Sequence, residues 1–458
     1  MKISIKKYLL LLAIGFSALA IKAQDEPMSF SLYQATQFAM ENSYILHNTR
    51  QDIEIAQKQV WETISTGLPQ VSGTMDYTKN ISAAKSPFPV ALIPKEYWPE
   101  LGIPDDTPPD GTYPISFMQK YNSSYGIGVT QQIFDGSWIV GISSAELYVD
   151  LSKQAHEKTE IDIRDAVYQA YYMVLISQRY KTVMEENLAN TKRLHEETKI
   201  YYQNGFREEQ DVDQLKILLG NAQNEVIHSE RELSIAKTVL KYAMGYNLDT
   251  EIDLTDSLEI FVLPLVQELN TFTFDFNNHI DYRLAVSNFQ FSNKILQLEK
   301  VAYLPKLNGF YNYGKLTFTN NANVFKEDWY KSSVIGIQAT LPIFNSGQKR
   351  SRVQQARIEL DKAETDRRYT EITLQKNYLT ASAEMRTARE RFLNDQENRD
   401  LAKRILDKTQ IKFNNGMVSS VELTQQETQY INAFQALVGS TMSLLEADLK
   451  LKKAVGAL

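Results

Sequence analysis

The sequence lacks cysteine altogether, so it can form neither a disulfide framework nor an acylated amino-terminal cysteine. Histidine is scarce, and its five copies have no metal-ligand spacing. His195 and Glu196 lack the second histidine of a zinc-protease helix. The net charge of −7 gives no reason to expect nucleic acid as a partner. We therefore predict a protein that is not an enzyme and has no metal, cofactor or nucleic-acid site.

Long hydrophobic runs are absent after residue 21. At the amino terminus, three lysines precede an apolar run from Tyr8 to Ile21 that is too short to span a bilayer. Small residues up to Ala23 complete the pattern of a secretory signal peptide, so we expect residues 1–23 to be cleaved from an exported protein that is not a lipoprotein. A mature chain with no later apolar run of about 18 residues enters a membrane only as a closed β-barrel.

Proline is scarce outside one segment, since eight of the thirteen prolines lie within residues 81–119. Proline at this density prevents a continuing strand ladder. We therefore predict that 81–119 forms an irregular extended loop that faces outward from the cell. The corresponding loop of the second half, about 318–330, is much shorter.

The second half of the chain repeats the pattern of the first. A shift of 211 residues superposes Asn204-Gly205 on Asn415-Gly416, and Gly245 on Gly456. Shifts of 236 and 210 align further anchors, because insertions between them change the offset. The 211 shift also superposes two series that step by three and four residues, as the a and d positions of a coiled coil do: Val212, Leu215, Leu219, Ala222, Val226, Ser229, Leu233, Ala236, Leu240, Ala243 and Leu423, Gln426, Tyr430, Ala433, Leu437, Ser440, Leu444, Ala447, Leu451, Ala454.

Four segments alternate apolar and polar residues with period two over about ten residues each, as strands of a membrane barrel do. They lie within 71–78, 121–133, 307–316 and 332–343. Phe310 and Leu316 interrupt the polar side of the third segment. A soluble antiparallel sheet with one hydrated face shows the same alternation. The predicted signal peptide and the repeat favour the membrane interpretation.

These patterns predict a mixed α and β fold that is internally duplicated. Two of the predicted helices, over 136–203 and 346–414, have about 67 residues each and would each measure about 100 Å. The predicted organisation is a signal peptide over 1–23, a first repeat over 24–245 (a helix near 31–66, hairpin 70–134, long helix 136–203, returning helix 208–245), a linker over 246–277, and a second repeat over 278–458 (a helix near 278–303, hairpin 306–344, long helix 346–414, returning helix 419–456). We expect the linker to pack outside the helices, with a break at Pro264.

The order of these motifs resembles the TolC-like outer-membrane efflux proteins. The motifs are Leu68-Pro69 and Leu304-Pro305 before strands, the aromatic-x-Asn-Gly turns at Tyr202–Gly205 and Phe413–Gly416, and two passages from strand to long helix, Ile133-Phe134-Asp135-Gly136 and Pro342-Ile343-Phe344-Asn345-Ser346-Gly347. Many relatives carry an acylated amino-terminal cysteine. This chain differs from them because it contains no cysteine.

The resemblance implies a homotrimer in outer-membrane lipid. Each protomer would contribute four strands to a twelve-stranded transmembrane barrel, and its helices to a periplasmic α-barrel. The partners would be a periplasmic adaptor (membrane fusion) protein and an inner-membrane pump of the RND or ABC type, in an efflux or type I secretion system that exports small molecules or proteins. The barrel-to-helix transition would lie at Pro69, Gly136, Pro305, Pro342 and Gly347.

The resemblance also implies that the turns at Asn204, Gly205, Asn415 and Gly416 form the periplasmic tip and contact the adaptor. Carboxylates just past such turns often ring a narrow entrance in the family. Asp211 and Glu422, which coincide under the 211 shift, are therefore aperture candidates. Ser419-x-x-Glu422 is also a capping box, and acids in a first helical turn offset the helix dipole. The two interpretations are compatible.

An alternative function is that of a secreted or periplasmic coiled-coil structural protein without a channel. This hypothesis explains the heptads but not the alternating strands, and solubility without detergent would support it. A plain porin explains the strands but not the very long helices. The cations Lys349, Arg350 and Arg352 fit either a solvated helix face or a contact with lipid headgroups.

Overall fold

The computed structural model describes residues 28–267 and 274–458, so the predicted signal peptide lies outside the described residues. The fold is mainly helical with some sheet, which confirms the mixed class. The helices are α1 Leu32–Asn42, α2 Tyr44–Ser65, α3 Trp98–Leu101, α4 Gly136–Gln203, α5 Glu209–Met244, α6 Leu258–Gln267, α7 Ile280–Val301, α8 Gln348–Asn414 and α9 Ser420–Ala454. The strands are β1 Met28–Phe30, β2 Gln70–Lys79, β3 Ser86–Pro89, β4 Thr112–Ile115, β5 Tyr121–Phe134, β6 Ile252–Leu254, β7 Lys306–Thr319 and β8 Tyr330–Thr340. Among these helices, none combines the length and the hydrophobicity that a membrane span requires.

The helix expected over 31–66 is interrupted at Ser43, which separates α1 from α2. Ser43 has an extended backbone with ψ of 123°, and its N–H closes α1 by donating to the carbonyl of Ala39. Its hydroxyl then accepts the N–H of Leu46 in the first turn of α2. Serine satisfies both helix ends at a break because its side chain replaces a backbone acceptor.

The chain divides into two compact units, and each unit draws on both halves of the sequence. The first contains the described residues of Met1–Glu54, Asp150–Asn288 and Glu364–Leu458; the second contains Ile55–Val149 and Phe289–Ala363. All twenty residues of the two stepped series belong to the first unit, and none of them is exposed. Their burial confirms that α5 and α9 pack through these positions.

The second unit contains an antiparallel four-stranded sheet in the order β2-β5-β7-β8. Its register aligns the apolar positions of neighbouring strands: Val71 pairs with Val129, which pairs with Tyr311, which pairs with Ile335. The polar positions form separate rows. A slip of one residue would exchange the two faces of a strand, so this register keeps one face of the sheet apolar.

Phe310, which interrupts the polar side of β7, lies opposite Gly336 on β8. A Cβ atom at residue 336 would lie only 2.7 Å from Cζ of the Phe310 ring. The missing side chain of Gly336 therefore leaves the space that the ring occupies. The irregularity in the alternation of β7 is matched by a glycine on the neighbouring strand.

The segment 81–119 is more ordered than the sequence predicts. Strands β3 and β4 pair antiparallel, with Pro87 directly opposite Pro114. Neither proline has an N–H to donate, so this pair fits only a rung that makes no ladder hydrogen bonds. The expectation of an irregular loop was wrong, because prolines that face each other at such a rung do not disrupt a ladder.

This loop also has a small core of its own. Val90, Trp98 and Ile103 are buried together, and Ile93, Tyr113 and Ile115 pack against them. The indole N–H of Trp98 donates to the carbonyl of Ile93 at 3.1 Å. We call residues 86–115 the loop module.

The described part of the predicted linker contributes apolar side chains to the core of the first unit. Its strand β6 pairs parallel with β1, and Val262 and Leu265 of α6 are buried in that core. Helix α6 also continues through Pro264, where a break was expected. Proline removes one hydrogen bond of this short helix, whereas ending the helix there would disturb both buried side chains.

Candidate functional site

The two Asn-Gly turns have the same geometry. Gly205 and Gly416 have φ of 78° and 71°, which is the left-handed region that favours glycine. In the first turn, the N–H of Phe206 donates to Tyr201, and in the second that of Met417 donates to Lys412, both at 2.9 Å. The N–H of Gly205 also donates to the carbonyl of Tyr202, and that of Gly416 to the carbonyl of Phe413. Each turn is therefore a Schellman motif, which satisfies two carbonyls at a helix end.

The glycines that end the returning helices carry a second constraint. Gly245 and Gly456 also have positive φ, at 70° and 73°. A Cβ atom at Gly245 would lie 2.8 Å from the carbonyl oxygen of Asn42, and one at Gly456 would lie 3.2 Å from that of Asn278. A shift of 236 residues superposes Asn42 on Asn278, as the shift of 211 superposes Gly245 on Gly456. The fold brings each asparagine against the glycine of its own half.

The first turn is joined to the second by Arg207. Its guanidinium lies over the Phe413 ring, 4.2 Å from the centroid, and donates to the carbonyl of Phe413. Its Nη1 atom is 3.8 Å from the carboxylate of Asp211. That carboxylate in turn accepts the N–H of Ser420, the first residue of α9, at 3.3 Å. We call Arg207, Asp211, Phe413 and Ser420 the tip clasp.

The side chain of Asp211 is largely buried. It pairs with a cation and caps a helix of the other half of the sequence. Capping of this kind satisfies one of the free N–H groups at a helix start. Glu422 differs: its residue is exposed, and its carboxylate has no ion pair among the described residues. The N–H of Glu422 donates to Oγ of Ser419 at 3.3 Å, which is the first half of the expected capping box. Two acids that coincide in the repeat thus have different surroundings.

Two residues of this region were not predicted from the sequence. Arg207 was not singled out, although a cation four residues before an acid on a helix start is a recognisable pair. Glu427 was missed as well; it is 3% exposed and accepts a hydrogen bond from the Thr191 hydroxyl at 2.9 Å. Burial raises the pKa of the Glu427 carboxyl, against the lowering effect of the contact with the Thr191 hydroxyl. Its position four residues after Leu423 was the available signal.

The strand-to-helix passages lie in the second unit. Gly136 begins α4 where a Cβ would lie 3.1 Å from side-chain atoms of both Val301 and Leu304. The preceding Asp135 accepts the N–H of Ser137 at 2.8 Å and pairs with Lys306 at 2.7 Å.

The remaining transition residues lie just outside regular elements. Pro69 and Pro305 directly precede β2 and β7, where proline favours an extended preceding residue. Pro342 follows β8, and Gly347 precedes α8 with φ of 85°. No group of three potential metal-ligating acidic, histidine or cysteine side chains occurs within 28–267 and 274–458.

Comparison with known proteins identifies the family. The model of the family described as outer membrane efflux protein matches residues 35–246 and 285–457. The chain is 22% identical over 345 residues to the probable efflux pump outer membrane protein TtgC and to the antibiotic efflux pump outer membrane protein ArpC, both of Pseudomonas putida, covering 74% of this chain and 69% of each relative.

Solved structures have the same fold. The Campylobacter jejuni CmeC outer membrane channel superposes with a TM-score of 0.70 at 17% identity, covering 93% of this chain and 85% of that one. The Vibrio cholerae outer membrane protein VceC superposes with a TM-score of 0.67 at 15% identity, covering 93% and 96%.

The chain belongs to the outer membrane efflux protein family, since the family model matches most of its length. It is an outer-membrane channel protein for efflux, as predicted, rather than a coiled-coil structural protein without a channel. The family consists of channel proteins and not of enzymes.

Proposed function

We propose that three copies of this chain form a duct from the periplasm across the outer membrane, as the outer component of a tripartite efflux or type I secretion system. The observation that carries the proposal is the four-stranded sheet, whose outer strands β2 and β8 each have one edge without a partner strand among the described residues. Four strands are too few to close a barrel, and exposed edges pair with other chains. Three copies supply twelve strands.

The two halves of the sequence would be duplicates of one unit. In support, α2, β2, β5, α4 and α5 follow one another in the same order as α7, β7, β8, α8 and α9. The predicted domain organisation, with residues 246–277 between the repeats and a cleaved segment over 1–23, is part of the proposal. The exported protein would have no lipid anchor.

The turns at Asn204, Gly205, Asn415 and Gly416 would form the periplasmic tip and contact the adaptor protein, which would link the duct to an inner-membrane RND or ABC pump. Asp211 and Glu422 would line the aperture. Their surroundings suggest separate tasks: Glu422 is exposed and available to passing cations, whereas Asp211 holds the two turns together through Arg207 and Ser420. An acid repeated three times around an entrance favours cations.

Planar-bilayer recordings of the purified protein test the aperture. We expect Glu422→Gln to reduce cation preference at unchanged conductance. Asp211→Asn removes the charge that pairs with Arg207, so we expect it to loosen the tip clasp and increase the open fraction as well as reduce cation preference. Glu209→Gln is the control, because Glu209 is an exposed acid on the same helix start without an ion pair among the described residues.

The helix-capping interpretation gives a different result. It predicts that both variants keep the ion selectivity of the wild type and that each loses about 1 kcal/mol of local helix stability. Unchanged selectivity in Asp211→Asn, Glu422→Gln and the double variant would rule out a carboxylate ring at this position. The same result would leave the trimeric duct standing.

A further inference from the structure

The end of β8 and the start of α8 form an exposed surface that changes abruptly from apolar to basic. Ile343 and Phe344 are 91% and 86% exposed, and they extend the exposed apolar positions of β8 at Ile335 and Ile337. Large apolar side chains with this exposure are normally covered by another molecule. Within a few residues, Lys349, Arg350 and Arg352 follow them along the chain.

The charge of this segment is strongly one-sided. Residues 329–358 contain five Lys or Arg and no Asp or Glu, in a chain whose net charge is −7. Cations in the first turn of a helix are unfavourable next to its dipole, so the stability of α8 does not explain them. Something outside this segment must account for the charge.

Within the part of the chain that the structure describes, Lys349 is the only one of these three cations that has a partner. The ammonium of Lys349 donates to the carbonyl of Ala302 and lies 5.4 Å from the centroid of the Tyr303 ring. Arg350 and Arg352 are exposed, and neither has an ion pair or a side-chain hydrogen bond among the described residues. Two guanidinium groups next to an exposed apolar pair are therefore available to a ligand.

The equivalent position in the first half has the opposite character. There Ile133 and Phe134 are followed by the acid Asp135, which pairs with Lys306 at 2.7 Å. No Lys or Arg follows until Lys153. The basic surface thus belongs to the second passage alone, which argues against a general requirement of the strand-to-helix geometry.

We propose that Ile343, Phe344, Arg350 and Arg352 form a docking surface for an anionic phospholipid of the inner leaflet of the outer membrane. The apolar pair would contact acyl chains where the barrel ends. Arg350 and Arg352 are two residues apart on a helix and point in different directions, so each guanidinium group would bind a separate headgroup phosphate with charge-assisted hydrogen bonds. Charge complementarity selects this occupant, because an apolar surface bordered by unpaired arginines fits a molecule with a long apolar part and an anionic end. The inference rests on the proposed barrel.

Native mass spectrometry of the full chain in detergent tests the surface, with phosphatidylglycerol and the zwitterionic phosphatidylcholine as probes. Each Lys or Arg near an anionic lipid surface contributes roughly a fivefold change in affinity. We therefore expect Arg350→Gln/Arg352→Gln to bind phosphatidylglycerol about 30-fold more weakly. Its binding of phosphatidylcholine should weaken much less, because the choline cation offsets the charge of that phosphate. Ile343→Ser/Phe344→Ser should weaken both lipids.

Two further variants control for charge and fold. Arg404→Gln/Lys408→Gln removes two exposed cations without ion pairs from the same helix, and it should leave both affinities unchanged. Arg350→Lys/Arg352→Lys keeps the charge and should restore most of the preference for phosphatidylglycerol. Competition by inorganic phosphate at concentrations far below those of an ordinary buffer would assign the arginines to a free anion and overturn the proposal.

Three other results would also overturn it: equal binding of both lipids by the wild type, unchanged affinity in Arg350→Gln/Arg352→Gln, or loss of the trimer in that variant, which would assign the arginines to a contact between copies. Failure of the proposed channel is distinguishable, because it would appear as a wild-type protein that is monomeric in detergent. Failure of the lipid surface alone would leave the wild-type trimer intact and remove only the lipid preference.

Discussion

Among single residues, Glu427 is the least expected feature of the helical region. The Thr191 hydroxyl lies 2.9 Å from both Oε1 of Glu427 and the carbonyl oxygen of Asn187, yet it has one hydrogen to donate. If that hydrogen goes to Asn187, the contact with Glu427 requires a proton on the carboxyl. The other oxygen of Glu427 is buried without a partner. Both observations agree with the raised pKa and favour a neutral Glu427.

A raised pKa predicts a specific dependence of stability on pH. The contribution of a protonated Glu427 is fully present below the ordinary glutamate pKa of about 4.5 and is lost as pH rises through the raised value of the folded state. We expect Glu427→Gln, which stays neutral, to be more stable than the wild type at pH 8, by about 1–3 kcal/mol. Near pH 4 the difference should shrink toward zero. Thermal unfolding followed by circular dichroism measures it.

Glu422→Gln is the matched control, since Glu422 lies on the same helix but is exposed. It should show no such growth of the difference with pH. A Glu427→Gln variant that is less stable than the wild type at pH 8 would mean that the carboxylate is charged and favourably solvated in the folded protein.

At the level of elements, the loop module shows how a proline-rich segment can form structure. Its two short strands are joined by turns, and Trp98 fills the centre of its small core. The four-stranded sheet makes its ladder from β2, β5, β7 and β8 and includes no residue of the module. We therefore expect the folding of the loop module, but not that of the four-stranded sheet, to require the Trp98 side chain.

Truncation of Trp98 tests this dependence. Buried Trp→Ala changes cost about 3–5 kcal/mol, which is more than a core of this size is expected to supply. We expect Trp98→Ala to open the module to limited proteolysis within 86–115 while the sheet stays protected. Tyr97→Ala is the control, because Tyr97 is exposed and lies next to Trp98 in the chain. Equal protease resistance of Trp98→Ala and the wild type would contradict this account of the module.

For the whole molecule, the absence of cysteine makes the proposed trimer directly testable. Ser72 on β2 and Ser332, Val334 and Gln338 on β8 lie on the same face of the sheet, as the register shows. We expect Ser72→Cys, combined in turn with Cys at each β8 position, to give a three-chain product on non-reducing gels for at least one combination. The reason is that β8 of one copy would pair with β2 of the next.

Ser124→Cys replaces Ser72→Cys in the control, because β5 lies between two strands of its own chain and has no free edge. This control should give no three-chain product. Light scattering in detergent supplies an independent measurement of mass, and a stable wild-type monomer there would refute the trimer.

What the sequence determined by itself is the set of local structures. The lengths of α4 and α8, the two Asn-Gly turns and the parity of the strands were predicted to within a few residues. Each depends on interactions between neighbours along the chain, namely the helical and strand periodicities and the φ that only glycine adopts freely. The stepped series of α5 and α9 were predictable for the same reason.

The tertiary structure decided what distant residues do to one another. Asp211 and Glu422 coincide in the repeat, but only Asp211 meets the start of α9, 209 residues away in the sequence. In the sequence Phe310 interrupts the alternation of β7, and only the structure shows that Gly336 leaves space for it on the neighbouring strand. Pro264 stays helical because its helix joins the core. These outcomes depend on which surfaces pack together, and a periodic pattern specifies which side of an element is apolar but not which residue of another element it will meet.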